Sequence, residues 1–442
     1  MSTRQMHLVG HLLTGPSLHH AGAWRHPDSD AHLVLDPSRY ENLARIYERG
    51  LFDGVFIVDG MNLPGLSEDR VSLEVEYGTL MMMMDPIPVL AQMARVTRHL
   101  GLSATMVTSV TPPYQIARQF ATLDHLSGGR AGWNIVTGAS PAVTDNFGLA
   151  ALPPASERYD HADEVLEACI ALWNTWDRDA LEIDRASGRF ADPSKVHYVK
   201  YEGERVRLKG GLVTPRSPQG RPVFMQAGAS ERGREFAARW AEIVFTIRND
   251  KAALKEFYDE TKGAVEGFGR DPAACAILPS IETFVAESEA QAKEKAAELD
   301  ELVIERSGLT VLSSIFGRDV TSDPVDTPVS EVEVGPAGPN VMGVYQNVLT
   351  VRIEGREPTL GELAHLQAST HLSPRFVGTP EMVVDQMQDR FESGCCDGFI
   401  VTHALSPRSL DDFVDLVVPE LQRRGLFRKE YTGRTFRENL QG

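Results

Sequence analysis

The segment Val223-Phe-Met-Gln-Ala-Gly-Ala-Ser230, continued by Glu231-Arg-Gly-Arg-Glu-Phe-Ala-Ala, passes from a strand through small residues into a serine-capped helix. Backbone N–H groups of the turn holding Gly228 and Ala229, the helix dipole and the Ser230 hydroxyl would together suit a phosphate. A plain N-cap with a tight turn satisfies the same spacing, so both readings stay open. Asp59 ends the apolar run Val55-Phe-Ile-Val-Asp59-Gly60, a carboxylate emerging where an α/β barrel keeps its chemistry, although it would equally cap the loop that follows. Thr105 lies inside a strand, and Asn134 and Thr137 interrupt Ala131-Gly-Trp-Asn-Ile-Val-Thr137. Polar groups there need partners, supplied by a ligand above the core or by a neighbouring strand. His7 and His11 share one strand face but lack the further ligands of a metal site, and none is expected. There is no G-x-G-x-x-G, Walker loop or H-E-x-x-H, which argues against a Rossmann-held nicotinamide.

These residues need a scaffold, and short β-branched runs alternate with amphipathic helical patterns along the whole chain, the mark of repeated βα units. Eight strands are expected: His7 to Leu13, Gly54 to Asp59, Leu102 to Thr108, Ala131 to Thr137, Val223 to Ala227, Ile243 to Thr246, Ala276 to Val285 and Gly398 to Thr402. Helices are expected over Pro37 to Arg49, Ile87 to Arg98, Pro113 to Ser127, Ser156 to Asp177, Ser230 to Trp240, Lys251 to Phe268, Ser288 to Ser307, Thr379 to Glu392 and Leu410 to Arg424. Ser288 with Gln291 reads as a capping box, and Gly128-Gly129 as a helix stop. Two segments leave the rhythm. Residues 181–214 read as an inserted hairpin excursion, and 308–359 as a long, proline-rich, irregular stretch that would cap the barrel mouth as a lid or serve as an oligomerisation arm.

The 442 residues fit one large barrel domain with insertions. A net charge of −18 opposes binding to nucleic acid and to anionic membranes, and no apolar run reaches the ~18 residues of a membrane span. The first residues show no signal-peptide succession, so a cytoplasmic protein is expected. Cys169, Cys275, Cys395 and Cys396 form no C-x-x-C pair and indicate neither disulfides nor a thiolate zinc site.

Several blocks then carry a family resemblance: His19-His-Ala-Gly-Ala-Trp-Arg-His-Pro27, Pro113 to Thr137, Asn146-Phe-Gly148, Glu157-Arg-Tyr-Asp160, Pro215 to Ser230, Val377-Gly-Thr-Pro380 and Asp411 to Phe427. In this order and nearly end to end they resemble the nitrilotriacetate monooxygenase family, within the bacterial-luciferase-like flavin superfamily. The resemblance implies a (β/α)8 TIM barrel of the bacterial-luciferase type, with FMN across its mouth. It places Asp59, Thr105 and Asn134 by the isoalloxazine or ribityl chain, Thr137 and Gly228 in the same cofactor-binding set, and Tyr159, Ala229 and Ser230 at the phosphate. It further implies reduced FMN from a separate NAD(P)H:flavin reductase, O2 as co-substrate, a small organic substrate, a homodimer or homotetramer, and His20 or His371 as the proton-handling residue. Departures stand at Ala155, where relatives commonly have histidine, and at Gly138, where they have serine. A deazaflavin-dependent or single-component oxidoreductase, a metal-dependent barrel hydrolase and a non-catalytic ligand-binding barrel are the alternatives.

Overall fold

The structure is a computed structural model that describes residues 4–17, 19–64, 73–138, 141–149, 151, 153–228, 230–335, 345, 348–353 and 355–442. Its strands are β1 His7–Leu12, β2 Gly54–Ile57, β3 Gly101–Val107, β4 Ala131–Val136, β5 Leu181–Asp184, β6 Arg189–Ala191, β7 Val199–Glu202, β8 Arg207–Gly210, β9 Val223–Gln226, β10 Ile243–Thr246, β11 Ala276–Val285, β12 Arg375–Gly378 and β13 Gly398–Thr402. Among the described residues, β1, β2, β3, β4, β9, β10, β11 and β13 pair in parallel, in that order, and β13 returns to β1 to close the barrel. All eight strands expected from the alternating pattern are present. Both faces of each are covered, which is why they read as apolar runs.

One face of the strands fills the barrel with Val9, Phe56, Val223, Met225, Ile243, Ala276, Leu278 and Ile400. The N-terminal end is stoppered by Phe436, from the C-terminal helix Phe436–Gln441, which is fully buried against that core. Glycines make the room for it: a Cβ at Gly54, Gly101 or Gly132 would lie 2.9, 2.5 or 3.1 Å from the ring. Arg428 to Asp53 and Arg437 to Glu242 tie the tail beneath the strands. The opposite end, where the strands finish, is left for chemistry.

Several sequence expectations need correction. A ninth parallel strand, β12, continues the sheet beside the upper half of β11, past the point where β10 stops. The helix expected over Ser288 to Ser307 ends at Asp300, and a new one runs Glu305–Phe316. Ser288 caps the Gln291 N–H at 3.3 Å, but the Gln291 side chain meets the serine hydroxyl, so the box does not close. The last helix contains a wide π turn over Phe413–Val417, because Pro419 has no N–H to continue the regular ladder. Residues 181–214 do form hairpin pairs, β5–β6 and β7–β8. Of the segment 308–359, the first nine residues belong to the helix Glu305–Phe316, whereas the described residues 317–335 hold only a short 3-10 turn at Val329–Glu331, as their prolines suggest; residues 336–344, 346, 347 and 354 lie outside the described residues. The helix Glu305–Phe316 packs on Leu360–Thr370, and Leu312, Phe316, Val320, Val348, Leu360 and Leu363 belong to a separate apolar core. Gly308 permits this approach, since a Cβ there would sit 1.9 Å from the Ala364 carbonyl oxygen.

Candidate active site

Side chains proposed from sequence gather at the C-terminal ends of the strands in two groups. The first is a corner between β9 and two helices. Ser230 caps the helix Glu231–Trp240, its Oγ accepting the Gly233 N–H at 3.1 Å. Tyr159 does not start its helix but follows the first turn of Ala155–Trp173, and its hydroxyl accepts from Gln226 Nε2 at 3.4 Å. The corner has no room for further side chains: a Cβ at Gly228 would lie 2.5 Å from the Gln226 carboxamide, and one at Gly233 2.7 Å from Tyr159 Oη. The N-terminus of the helix Glu231–Trp240 therefore opens onto hydroxyls and bare backbone beside the second turn of Ala155–Trp173, an arrangement suited to an anion. Ala229 lies outside the described residues. Ala155 opens its helix without a side-chain cap, and Arg158 in the same turn has a buried Nε with no hydrogen-bond partner.

Across the rim, Asn134 donates to Thr105 Oγ1 at 2.9 Å, so these two strand residues satisfy each other in part. Thr137 is buried just beyond β4, and Gly138 takes a left-handed φ of 85° that serine would adopt only with strain. Asp59 Oδ1 accepts the Met61 N–H at 3.3 Å, the loop-capping role, while burial raises its pKa.

The second group is built of histidines. His11 stacks on Phe56 with centroids 4.5 Å apart, lies 4.2 Å from His19, and faces Phe245 at 5.6 Å. His371, in left-handed conformation at the end of the helix Leu360–Thr370, meets His19 edge-on at 5.7 Å. His403 hydrogen-bonds Tyr47 Oη through Nδ1 at 3.2 Å. Both ring nitrogens of His11, and Nε2 of His19 and of His403, are buried without a partner. Burial is the main cause that lowers the pKa of His11 to about 3, of His371 to about 4 and of His403 to about 3, and holds His19 well below the usual histidine range. The cluster is thus neutral at pH 7.

His20 differs. Its Nδ1 accepts the Gly22 N–H at 3.2 Å, so Nε2 carries the proton and donates to Asp300 at 3.1 Å. Arg375 joins Asp300 and Glu282, each at 2.8 Å. With both nitrogens occupied, His20 fastens the loop that presents His19. Among the described residues no group of His, Cys, Asp and Glu is arranged to hold a metal ion. No helix there is long and apolar enough to cross a membrane.

Residues 17–396 match the family model of the luciferase-like monooxygenases. The chain belongs to this family. It is 42% identical over 439 residues to dibenzothiophene-sulfone monooxygenase of Rhodococcus erythropolis (strain XP), covering 99% of this chain and 96% of that one. It is 35% identical to nitrilotriacetate monooxygenase component A of Aminobacter aminovorans, covering 99% and 97%. The crystal structure of long-chain alkane monooxygenase (LadA) superposes with a TM-score of 0.88 at 33% identity, covering 100% of this chain and 96% of that chain. This luciferase-like protein is accordingly a flavin-dependent monooxygenase. Of the two histidines expected to handle protons, His371 lies in this cluster and His20 beside it, whereas His19, His403 and Arg158 were not among the expected site residues. The sequence reading also set His11 aside for want of metal ligands. The signal that could have found them was position: His19 and Arg158 lie inside the family blocks, and His403 directly follows β13.

Proposed function

We propose that the chain is the oxygenase component of a two-component system that takes reduced FMN from a separate NAD(P)H:flavin reductase and, with O2, oxygenates a small organic molecule. The observation that carries this reading is the anion-suited corner at Tyr159, Gly228, Ser230 and Gly233, where a cradle closed to side chains meets the N-terminus of the helix capped by Ser230. The name of one relative, nitrilotriacetate monooxygenase component A, supports a divided system. The residues fit FMN. Ser230 and Tyr159 would hold its phosphate, with the Arg158 guanidinium supplying charge where Ala155 offers none. Asp59, Thr105, Asn134 and Thr137 would flank the ring and ribityl chain. Bound reduced flavin would supply the electrons that reduce O2, one oxygen atom passing to substrate and the other leaving as water.

The chain's own work is positioning, exclusion of water and proton handling. Ser230 and the helix dipole orient the phosphate. Phe56 and Phe245 keep the rim dry beside His11. His19 hydrogen-bonds the His11 backbone through its other ring nitrogen, which leaves the Nε2 lone pair to accept or return a proton, with His371 beside it. His20 acts through His19 as its anchor. We read residues 1–442 as one barrel domain with insertions at 181–214 and 308–359, working in the cytoplasm as a homodimer or homotetramer.

The test is oxygen-dependent turnover of a panel of sulfones, aminocarboxylates and alkanes with photoreduced FMN. Product should form with reduced FMN and not with NADH alone, and the purified chain should hold little flavin. Stoichiometric flavin surviving dialysis, together with NADH oxidation by this chain alone, would overturn the reading.

A further inference from the structure

His371 and Leu372 both stand in the left-handed region, at φ of 49° and 61°, where neither side chain rests easily. Strained residues of this kind persist only where their surroundings hold them, and they gather at functional sites. Here the surroundings are specific. The helix Leu360–Thr370 ends at this turn, the Leu372 N–H donates to Thr370 Oγ1 at 3.0 Å, and the Ser373 hydroxyl meets that of Ser280 on β11 at 2.8 Å. The carbonyl of Ser369, two residues before His371, accepts from Arg375 Nη2 at 2.9 Å.

Arg375 holds a second arm as well. Its Nη1 donates to Asp300 Oδ2 at 2.8 Å, and the other oxygen of that carboxylate accepts from His20 Nε2 at 3.1 Å, so the loop that presents His19 hangs from the same guanidinium. Arg375 Nε donates to Glu282 Oε2 on β11 at 2.8 Å, and the guanidinium lies over the Phe284 ring of that strand at 4.8 Å. A planar fork with its donors fixed in three directions therefore joins the ends of two helices to the barrel wall, which the single ammonium of a lysine does not do. Glu282 is wholly buried and the Arg375 side chain is 17% exposed, so little water screens these pairs.

We propose that Arg375 is a positioning residue that sets the separation of His19 and His371, whose rings meet edge-on at 5.7 Å. The inference rests on the monooxygenase reading and deepens it by naming what holds the proton-handling pair in place. Arg375 acts through Asp300 and His20 on one side and through the Ser369 carbonyl on the other, and loss of the guanidinium frees both arms at once. Misplacing such groups by about 1 Å costs up to about a hundredfold in rate without loosening the substrate.

Two variants of the full chain test this: Arg375→Met, which keeps the stem over Phe284, and Asp300→Asn, which cuts the His20 arm alone. Arg390→Met is the comparison, since Arg390 lies over Phe376 of the same strand at 4.6 Å and hydrogen-bonds the Gln386 carbonyl. With photoreduced FMN and the panel of sulfones, aminocarboxylates and alkanes, each test variant should lower kcat about 10- to 100-fold, and the double variant no further than Arg375→Met. KM and FMN affinity should stay within about threefold, and Arg390→Met should keep kcat within about twofold. Amide exchange without flavin reads the clamp directly. The N–H groups of His371, Leu372 and Ser373 are all hydrogen-bonded, and Arg375→Met should speed their exchange at least about tenfold relative to Leu309–Phe316, with Asp300→Asn leaving it unchanged. Unchanged exchange in Arg375→Met overturns the proposal. So does kcat within about threefold of the unaltered chain in both test variants, or an equal loss in Arg390→Met. Where Arg375→Met does not fold, kcat of Asp300→Asn decides by the same limit. Failure of the unaltered chain to oxygenate any member of the panel overturns the assigned activity instead, and exchange then decides the clamp alone.

Discussion

Replacing Ser230 separates helix capping from phosphate binding. Its Oγ accepts the Gly233 N–H at 3.1 Å, which leaves the hydroxyl proton to donate to an anion in the adjoining cradle. Ser230→Ala loses both interactions: about 1 kcal/mol of capping, and about 1.5–3 kcal/mol of charge-assisted hydrogen bond to phosphate. The second figure corresponds to a roughly 12- to 150-fold weaker FMN complex. Ser230→Gly loses the same hydroxyl, but glycine is a tolerated cap and costs only a few tenths of a kcal/mol there. The two variants should therefore lose FMN affinity equally. Their melting temperatures should differ by about 1 °C, since a chain of this length unfolds with an entropy near 1 kcal/mol per degree. Quenching of flavin fluorescence measures the first quantity and scanning calorimetry the second, with riboflavin as the phosphate-free control. Unchanged FMN affinity in both variants, or riboflavin weakened as much as FMN, would refute the phosphate assignment and leave Ser230 a cap.

Phe436→Ala should destabilise the fold by about 3–5 kcal/mol in urea titration, because the ring is fully buried in the barrel floor among glycines that cannot refill the space; a change below about 1 kcal/mol would show that the floor closes without it. Amide exchange at Leu309–Phe316 and Leu363–Ala368 should already be slow without ligand, since these residues line a shared apolar core; exchange there within seconds would restore the picture of an open lid. Acid should weaken the protein through its neutral histidines. The folded pKa values of His11, His371 and His403, about 3 to 4, lie below the unfolded value, so stability is full above about pH 6.5 and falls as pH drops toward 4. His11→Phe should reduce that slope by about 1.4 kcal/mol per pH unit, and an unchanged slope would mean that His11 is charged when folded. Glu282 acts in the opposite sense. Burial raises its pKa to about 7, so its contribution is lost as pH rises from about 4.5 to 7, and Glu282→Gln should flatten that limb of the melting profile.

The barrel was legible in the sequence because its signal is local. A strand buried on both faces must be apolar along its length, and a helix on the outside must be periodic, so each βα unit announced itself without reference to its neighbours. Ser230 was legible for the same reason, as cap chemistry is written within four residues. Only the start of the segment 308–359 misled, where the helix Glu305–Phe316 runs on into it. Leu309, Leu312 and Phe316 already recur at helical intervals, but their partners Leu360 and Leu363 are some fifty residues away, and only packing shows that the two helices share a core. The histidines mark the deeper limit. His11, His19, His371 and His403 come from four separated stretches, and nothing in the spacing of one refers to another. His19 and His20 are adjacent in sequence yet differ in every respect that matters: one has its ring nitrogens fully occupied by Gly22 and Asp300, and the other keeps Nε2 bare. Which of two neighbouring imidazoles anchors a loop and which faces the chemistry depends on what lies across the barrel mouth, and closure of the sheet decides that.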